Sequence, residues 1–364
     1  MQINELNEKD GNLLASIAKV EAKETIPAGY APIRLSTKGK LGAPLVFHVR
    51  NFNTRDIMAL ALTSDEALPE KLVELLEELI FEDVDVKEFH EAEVVETMVR
   101  LYANFFSTSI EIDFPVIEED LEIVKRAFPE SYESKILALK EGKWVPKTTI
   151  NLRTDVDSYD IPDHFNPVSV IREHSSGFTV KFGLPRYGDI ITLKKWLAEE
   201  YGEKEKAFGN IKRLIDIRDA MLRRFDEGED VDLNRLPVVD PSAEEAYMQL
   251  QTEKATALVD VIRALHLVGF EGEDVSGLPL SERVKLVQDP RVDINVAKKL
   301  NDRDEKLRIG LKPEVRMINP FNGEPCLRRF SFRLLDILQA VQVSKADEYD
   351  LISGDADESS EKRD

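Results

Sequence analysis

Within the sixteen residues FHVRNFNTRDIMALAL, from Phe47 to Leu62, the side-chain pattern changes from strand-like alternation to helical spacing with only a few residues between. A strand that runs almost directly into a helix must turn a corner there. Its inward side chains and the first helical turn then share one set of neighbours. Phe47 and Val49 fall on one strand face, with Val46, His48 and Arg50 interrupting it or occupying the other. Asn53 is placed to cap a helix and Asp56 falls at its third position, a variant of the reciprocal capping arrangement. Ile57, Leu60 and Ala61 supply an apolar helical edge, and Phe52 sits in the turn itself. Upstream, APIRLSTKGKLGAPL reads as a first strand and a Gly/Lys/Pro-rich turn, so the whole is a hairpin leading into a helix.

The same design recurs. In SVIREHSSGFTVKFGLPRYGDIITLKKWL, HSSG is a strand connection, and Phe178, Val180 and Phe182 alternate before GLPRYGDI turns into a helix near Asp189. Val49 precedes Asp56 by seven residues, and Phe182 precedes Asp189 by seven. A weaker echo is NPFNGEPCLRRFSFRLLDILQAV, where Phe330 and Phe332 alternate just before LLDILQAV.

Between the first two passages the pattern predicts a helix from about Leu68 or Pro69, and another from Glu88 or Glu91 carrying Val95, Met98, Val99, Leu101 and Tyr102. The acidic residues from Glu66 to Glu96 are expected on a solvent face. A strand and helix follow in IEIDFPVIEEDLEIVKRAF, and KWVPKTTINLRTDV is a further extended element. AFGNIKRLIDIRDAMLRRF and SAEEAYMQLQTEKATALVDVIRALHLVGF predict a long antiparallel helical element, the latter opening on a Ser242/Glu245 capping box. The expected fold class is α+β: hairpin-to-helix modules with a long, predominantly helical insertion. Its expected parts are an N-terminal arm (1–24), a first α+β module (25–160), a second strand–helix module (161–202), the helical insertion (203–308), a terminal strand–helix element (309–344) and an acidic flexible tail (345–364).

Charge narrows the function. Seventy acidic against 49 basic residues give a formal charge of −21, which repels phosphate backbones and anionic membranes, so neither direct nucleic-acid binding nor a membrane is expected. No secretory signal and no apolar run of spanning length occurs, which reads as a soluble intracellular product. The basic cluster at Lys212, Arg213, Arg218, Arg223 and Arg224 is interrupted by Asp216 and Asp219, and Lys194 and Lys195 beside Trp196 read as an ordinary helix surface.

Chemistry-bearing patterns are sparse. His48, His90, His164, His174 and His266 form no metal-binding signature. Asp157, Asp160, Asp163 and His164 in DSYDIPDHF read as a turn with solvated carboxylates, and GDADES near the C-terminus lacks calcium-loop spacing. Carboxylate pairs such as Glu118/Glu119 and Asp216/Asp219 define no acid–base site by sequence proximity alone. Cys326 is the single cysteine. No nucleophile elbow, phosphate loop or dinucleotide fingerprint is present. The expectation is a non-enzymatic chain with no catalytic residue, cofactor or metal.

Three passages together resemble the contractile-phage baseplate and tail-hub protein family that includes the small hub component of T-even-like phages. They are IRLSTKGKLGAPLVFHVRNFNTRDIMALAL with the acidic helix PEKLVELLEELI, FTVKFGLPRYGDI, and NPFNGEPCLRRFSFRLLDIL. The similarity spans about the first 200 residues and the last 45, leaving the helical insertion outside it. Members of this group can carry paired cysteines near the later strands; Cys326 stands alone, which sets this chain apart from a metal-stabilised version. The resemblance implies a structural virion protein acting through other tail or baseplate subunits, with a homo-oligomer as a further arrangement. It also implies residence in the host cytoplasm during synthesis and in the virion tail after assembly. A tail-assembly chaperone or scaffolding factor and an uncharacterised soluble enzyme are the alternatives. Phe47, Val49, Phe52 and Ile57 are then expected to anchor a first packing corner, Phe182, Pro185, Tyr187 and Ile190 a second, with Phe330 and Phe332 as further packing or interface candidates.

Overall fold

A computed structural model describes residues 26–332 apart from 65–66, 173–176, 227, 229–230, 293–295, 297, 301 and 304–306. The N-terminal arm, the HSSG connection, the helix expected after Phe332 and the acidic tail lie outside the described residues, wholly or in most part.

The chain is α+β. The opening hairpin pairs β1 (Tyr30–Ile33) with β2 (Phe47–Arg50), Ile33 opposite Phe47. In β2, Phe47 and Val49 are fully buried, while His48 and Arg50 are half-buried. Helices α1 (Thr54–Ala61), α2 (Leu68–Leu79) and α3 (Glu91–Phe105) follow. Strand β3 (Ser109–Asp113), helices α4 (Glu118–Ala127) and α5 (Tyr132–Lys140), and strand β4 (Lys147–Asn151) come next. β3 and β4 pair antiparallel, with buried Ile110 opposite buried Ile150. β5 (Val156–Ser158) joins the late strands β10 (Leu311–Ile318) and β11 (Pro325–Arg329) in a sheet ordered β5–β10–β11. These late strands thus return to the first half of the chain.

A four-stranded sheet is built from β6 (Ser169–Arg172), β7 (Thr179–Phe182), β8 (Leu267–Phe270) and β9 (Glu273–Asp274), in that order and antiparallel. Between β7 and β8 run helices α6 (Tyr187–Ala207), α7 (Gly209–Asp226) and α8 (Pro241–His266); α9 (Leu280–Val287) follows β9. Lys204 meets Glu253, Phe208 meets Tyr247, and Arg218 grips Glu244 with two bonds of 2.7 and 2.8 Å. The partner number falls as the residue number rises, so α8 returns antiparallel to α6 and α7. Its start corrects the sequence reading. Pro241 opens the helix after Asp240, which puts Ser242 inside the first turn, bonded to Asp240 rather than capping with Glu245.

Two hydrophobic cores result. The first gathers β1–β4, α2, α3 and β10, with Phe47, Phe89, Leu72, Leu76, Met98 and Ile150 fully enclosed. The second gathers β7 and β8 with the end of α8, α9 and the segment after it: Phe178, Val180 and Phe182 pack with Ala264, Leu267, Phe270 and Val287. Filling two such cores with these side chains supplies the main drive for folding, at roughly 1.5–3 kcal/mol per fully buried large aliphatic or aromatic residue.

Candidate functional site

One device starts four helices. The Asp56 carboxylate accepts the Asn53 backbone N–H at 2.9 Å, and Asn53 Oδ1 accepts the Asp56 N–H at 3.0 Å, closing the reciprocal cap expected there. Asp189 accepts the Arg186 N–H at 2.8 Å, and Asp120 accepts the Ile117 N–H at 3.0 Å. Glu93 does the same for His90 at 2.9 Å. Each acid satisfies an orphan donor and sits at the positive end of its helix dipole. The β3-to-α4 junction, read from sequence as a strand followed by a helix, is therefore a further strand-to-helix corner with an aspartate cap, while the helix expected after Phe332 lies outside the described residues.

The segment between β1 and β2, residues 34–46, is fastened to α3 by two acids that the sequence pattern assigns to a solvent face. Glu93 and Glu96 are fully buried. Glu93 accepts from Thr37 Oγ1 at 2.5 Å and from the Ala43 N–H at 3.1 Å, yet burial still pushes its carboxyl above the usual glutamate value. Glu96 accepts from the Ser36 N–H at 3.1 Å and its hydroxyl at 2.7 Å, and pairs with Arg100 one turn on. The correction has a physical cause: the hairpin turn brings N–H and O–H donors that compensate carboxylates on a face otherwise apolar. Gly42 completes the fit. A Cβ there would lie 1.8 Å from the Glu88 carbonyl oxygen, so only glycine admits the two backbones so close.

This fastened turn forms one wall of a cleft of about 300 Å³ between the two cores. Lys40, Leu41 and Gly42 line one side; Gly183, Leu184, Pro185 and Arg186 of the second junction line another; Leu265, His266 and Arg283 complete it from the second core. Lys40 Nζ donates to the Pro162 carbonyl at 2.7 Å and pairs with Asp163 at 3.2 Å. Arg186 pairs with Glu88 at 2.5 Å. Burial pushes Asp189 above the usual aspartate value, opposed by the Arg186 N–H and by the charges of Arg186 and Arg283. Burial likewise pulls the Arg283 guanidinium below its usual value, with Asp189 opposing. His90 lines the cleft and caps α3, its Nδ1 accepting the Ala92 N–H at 3.1 Å.

The residues singled out from sequence are divided by this geometry. Phe47, Val49 and Phe52 are buried in the first core, while Ile57 lies in α1 with its side chain outside the described residues. Phe182 is buried in the second core, whereas Tyr187 and Ile190 pack on the first. The second passage is thus a bridge between cores rather than one corner, and Pro185 lines the cleft at its midpoint. Tyr187 is tied across by its N–H to the Phe89 carbonyl at 2.7 Å, and burial pushes its phenol up to about 12. Phe330 and Phe332 are half-buried against the first core, their rings 5.1 Å apart. Asp160, Asp163 and Asp157 remain exposed but are ion-paired with Lys38, Lys40 and Arg316. Burial pushes the Cys326 thiol above its usual value. Arg283 and Lys40 do not stand out in the sequence, because the two cations in each of LSERVKLV and STKGK carry no motif spacing.

A second surface stands out on the helical insertion. Helices α6, α7 and α8 contain 21, 18 and 26 residues, yet α7 buries only Ile215 and α8 only Leu250, Val261, Ala264 and Leu265. On α8, Met248, Thr252, Ala255, Val259 and Ile262 follow four-three-four-three spacing and are all exposed. That spacing keeps one stripe aligned along a helix and is the seam pattern of helices that pack on other helices. Ile217, Leu222 and Phe225 are exposed on α7.

No family model matches the chain, and neither a curated protein nor a solved structure matches it. Among the described residues, no group of three or more His, Cys, Asp or Glu is arranged to hold a metal ion, and no helix is long and apolar enough to cross a membrane.

Proposed function

We propose that this chain is a structural component of a contractile phage tail, in its baseplate or hub, and that it works through contacts with other subunits rather than through catalysis. The observation that carries the reading is the helical insertion, whose α7 and α8 leave Ile217, Leu222, Phe225, Met248, Val259 and Ile262 exposed. On α8, Met248, Val259 and Ile262 share one helical stripe, and large apolar side chains exposed together cost solubility, a cost offset when a partner covers them. The identity of that partner as a tail subunit rests on the sequence resemblance of the hairpin-to-helix passages. The buried acids fit the same reading: Glu93, Glu96 and Asp120 are engaged by donors that hold elements together. The chain would reside in the host cytoplasm while it is made and in the virion tail after assembly.

The test is the copy number of the chain in purified mature tails, measured by quantitative mass spectrometry against a known tail subunit. A fixed, integral copy number is expected. Presence in assembly intermediates but not in mature tails would replace this reading with an assembly chaperone. Turnover of a substrate, lost on altering one compact cluster, would replace it with an enzyme.

A further inference from the structure

The cleft between the cores holds a cation with unused hydrogen-bonding capacity. Arg283 makes one hydrogen bond among the described residues, from Nη1 to the Leu265 carbonyl oxygen at 3.2 Å. Its Nε is buried without a hydrogen-bond partner, and among those residues it forms no direct ion pair. Buried donors are nearly always satisfied, and an unsatisfied one costs about 1–3 kcal/mol. The other cations of the cleft differ, since Lys40 is held by Pro162 and Asp163 and Arg186 by Glu88. Asp189 gives one oxygen to the Arg186 N–H and does not bond Arg283.

We propose that this cleft binds a carboxylate, with the Nε/Nη2 edge of Arg283 as its fork. That edge presents two parallel N–H groups at the spacing of the two carboxylate oxygens, the pairing for which arginine is best suited. Nε is enclosed in this state, so the fork forms only as the guanidinium, held by one hydrogen bond of 3.2 Å, turns that edge into the cleft on binding. A carboxylate group is favoured over phosphate because Glu88 and Asp189 share the lining, and the single negative charge it places beside Arg283 is repelled less than the up to two that phosphate places there. The cleft is about 300 Å³, at the lower end of small-ligand pockets, which suits one acidic side chain or a small dicarboxylate. The carboxylate has two sources, a free small acid or an acidic segment of a protein partner. Neither source requires the tail assignment.

Titration calorimetry on the full chain tests this with four probes: glutarate, acetylated hexaglutamate, acetylated hexaglutamine and inorganic phosphate. Binding of glutarate or hexaglutamate is expected, with hexaglutamine silent and phosphate at least tenfold weaker. Equal affinity for glutarate and hexaglutamate assigns a free acid; tenfold tighter hexaglutamate assigns an acidic segment. Arg283→Met is expected to weaken binding at least tenfold, and Arg283→Lys, which keeps the charge but not the fork, to restore only part of it. If Arg283→Met does not fold, the Arg283 Nε–H resonance of the unaltered chain serves, with a downfield shift on adding the acid expected. The proposal is overturned if neither acid binds, if phosphate binds as well as they do, if Arg283→Met binds normally, or if the Nε–H resonance stays fixed at saturation.

Discussion

Replacing Asp120 by alanine should damage the fold far more than loss of a helix cap. Asp120 is fully buried and accepts from the Ile117 N–H at 3.0 Å, Asn319 Nδ2 at 2.9 Å and Arg328 Nη2 at 2.7 Å. It thereby pins α4 to the β10–β11 hairpin, roughly 200 residues along the chain, and such contacts offset the entropy of closing that loop. Losing the cap alone costs about 1 kcal/mol. Stranding the cation costs more, because the Arg328 side chain is only 14% exposed and its Nε already has no partner. Breaking a buried ion pair from one side costs about 3–5 kcal/mol, so Asp120→Ala should fall in that range. Asp120→Ala/Arg328→Met removes the stranded charge and should cost about 2 kcal/mol less than the sum of the two single changes. Urea unfolding followed by tryptophan fluorescence is well placed to read this, because the Trp144 ring lies 5.8 Å from Phe321, whose N–H bonds Asn319. A cost near 1 kcal/mol for Asp120→Ala, or additivity within about 0.5 kcal/mol, would refute the reasoning.

Two further outcomes follow from the fastened hairpin turn. Gly42→Ala forces backbone to move against backbone at Glu88 and should cost at least about 2 kcal/mol, whereas Gly277→Ala, where a Cβ meets nothing, should change stability by under about 0.5 kcal/mol; thermal unfolding of both separates the effects. For Glu93, the folded carboxyl lies above its unfolded value, so the fold binds the proton more tightly and stability falls as pH rises from the usual glutamate value to the folded one. Glu93→Gln lacks that slope, so the stability gap between the parent and this variant should narrow over that window in paired denaturation curves; a gap that widens contradicts the assignment.

The local rules of the chain are legible where one residue type decides one geometry. Asn53 and Asp56 are read as a cap because their short side chains reach the neighbouring orphan N–H groups. The alternation of Phe178, Val180 and Phe182 marks a buried strand face, and all three are enclosed. What sequence does not show depends on partners distant along the chain. Glu93 and Glu96 look like solvent-facing acids on α3 until the turn bearing Ser36, Thr37 and Ala43 supplies their donors from 50 or more residues away. Val94 is buried where the pattern puts Val95 on the apolar face, because that face is rotated toward these acids. Likewise nothing in FTVKFGLPRYGDI says that Phe182 and Tyr187 enter different cores, so the cleft between them is hidden in the sequence although Pro185 stands out there.

If the helical insertion acts by contact with another tail subunit, as proposed, charge placed on its exposed stripe should break that contact. Met248 and Val259 are 55% and 45% exposed, so Met248→Glu/Val259→Glu should leave stability within about 1 kcal/mol of the parent. The measurement is the copy number of this variant per purified tail, beside the unaltered chain, with folding of both checked by circular dichroism. A folded variant depleted at least tenfold from tails is the predicted result; a folded variant incorporated at the normal copy number contradicts the account.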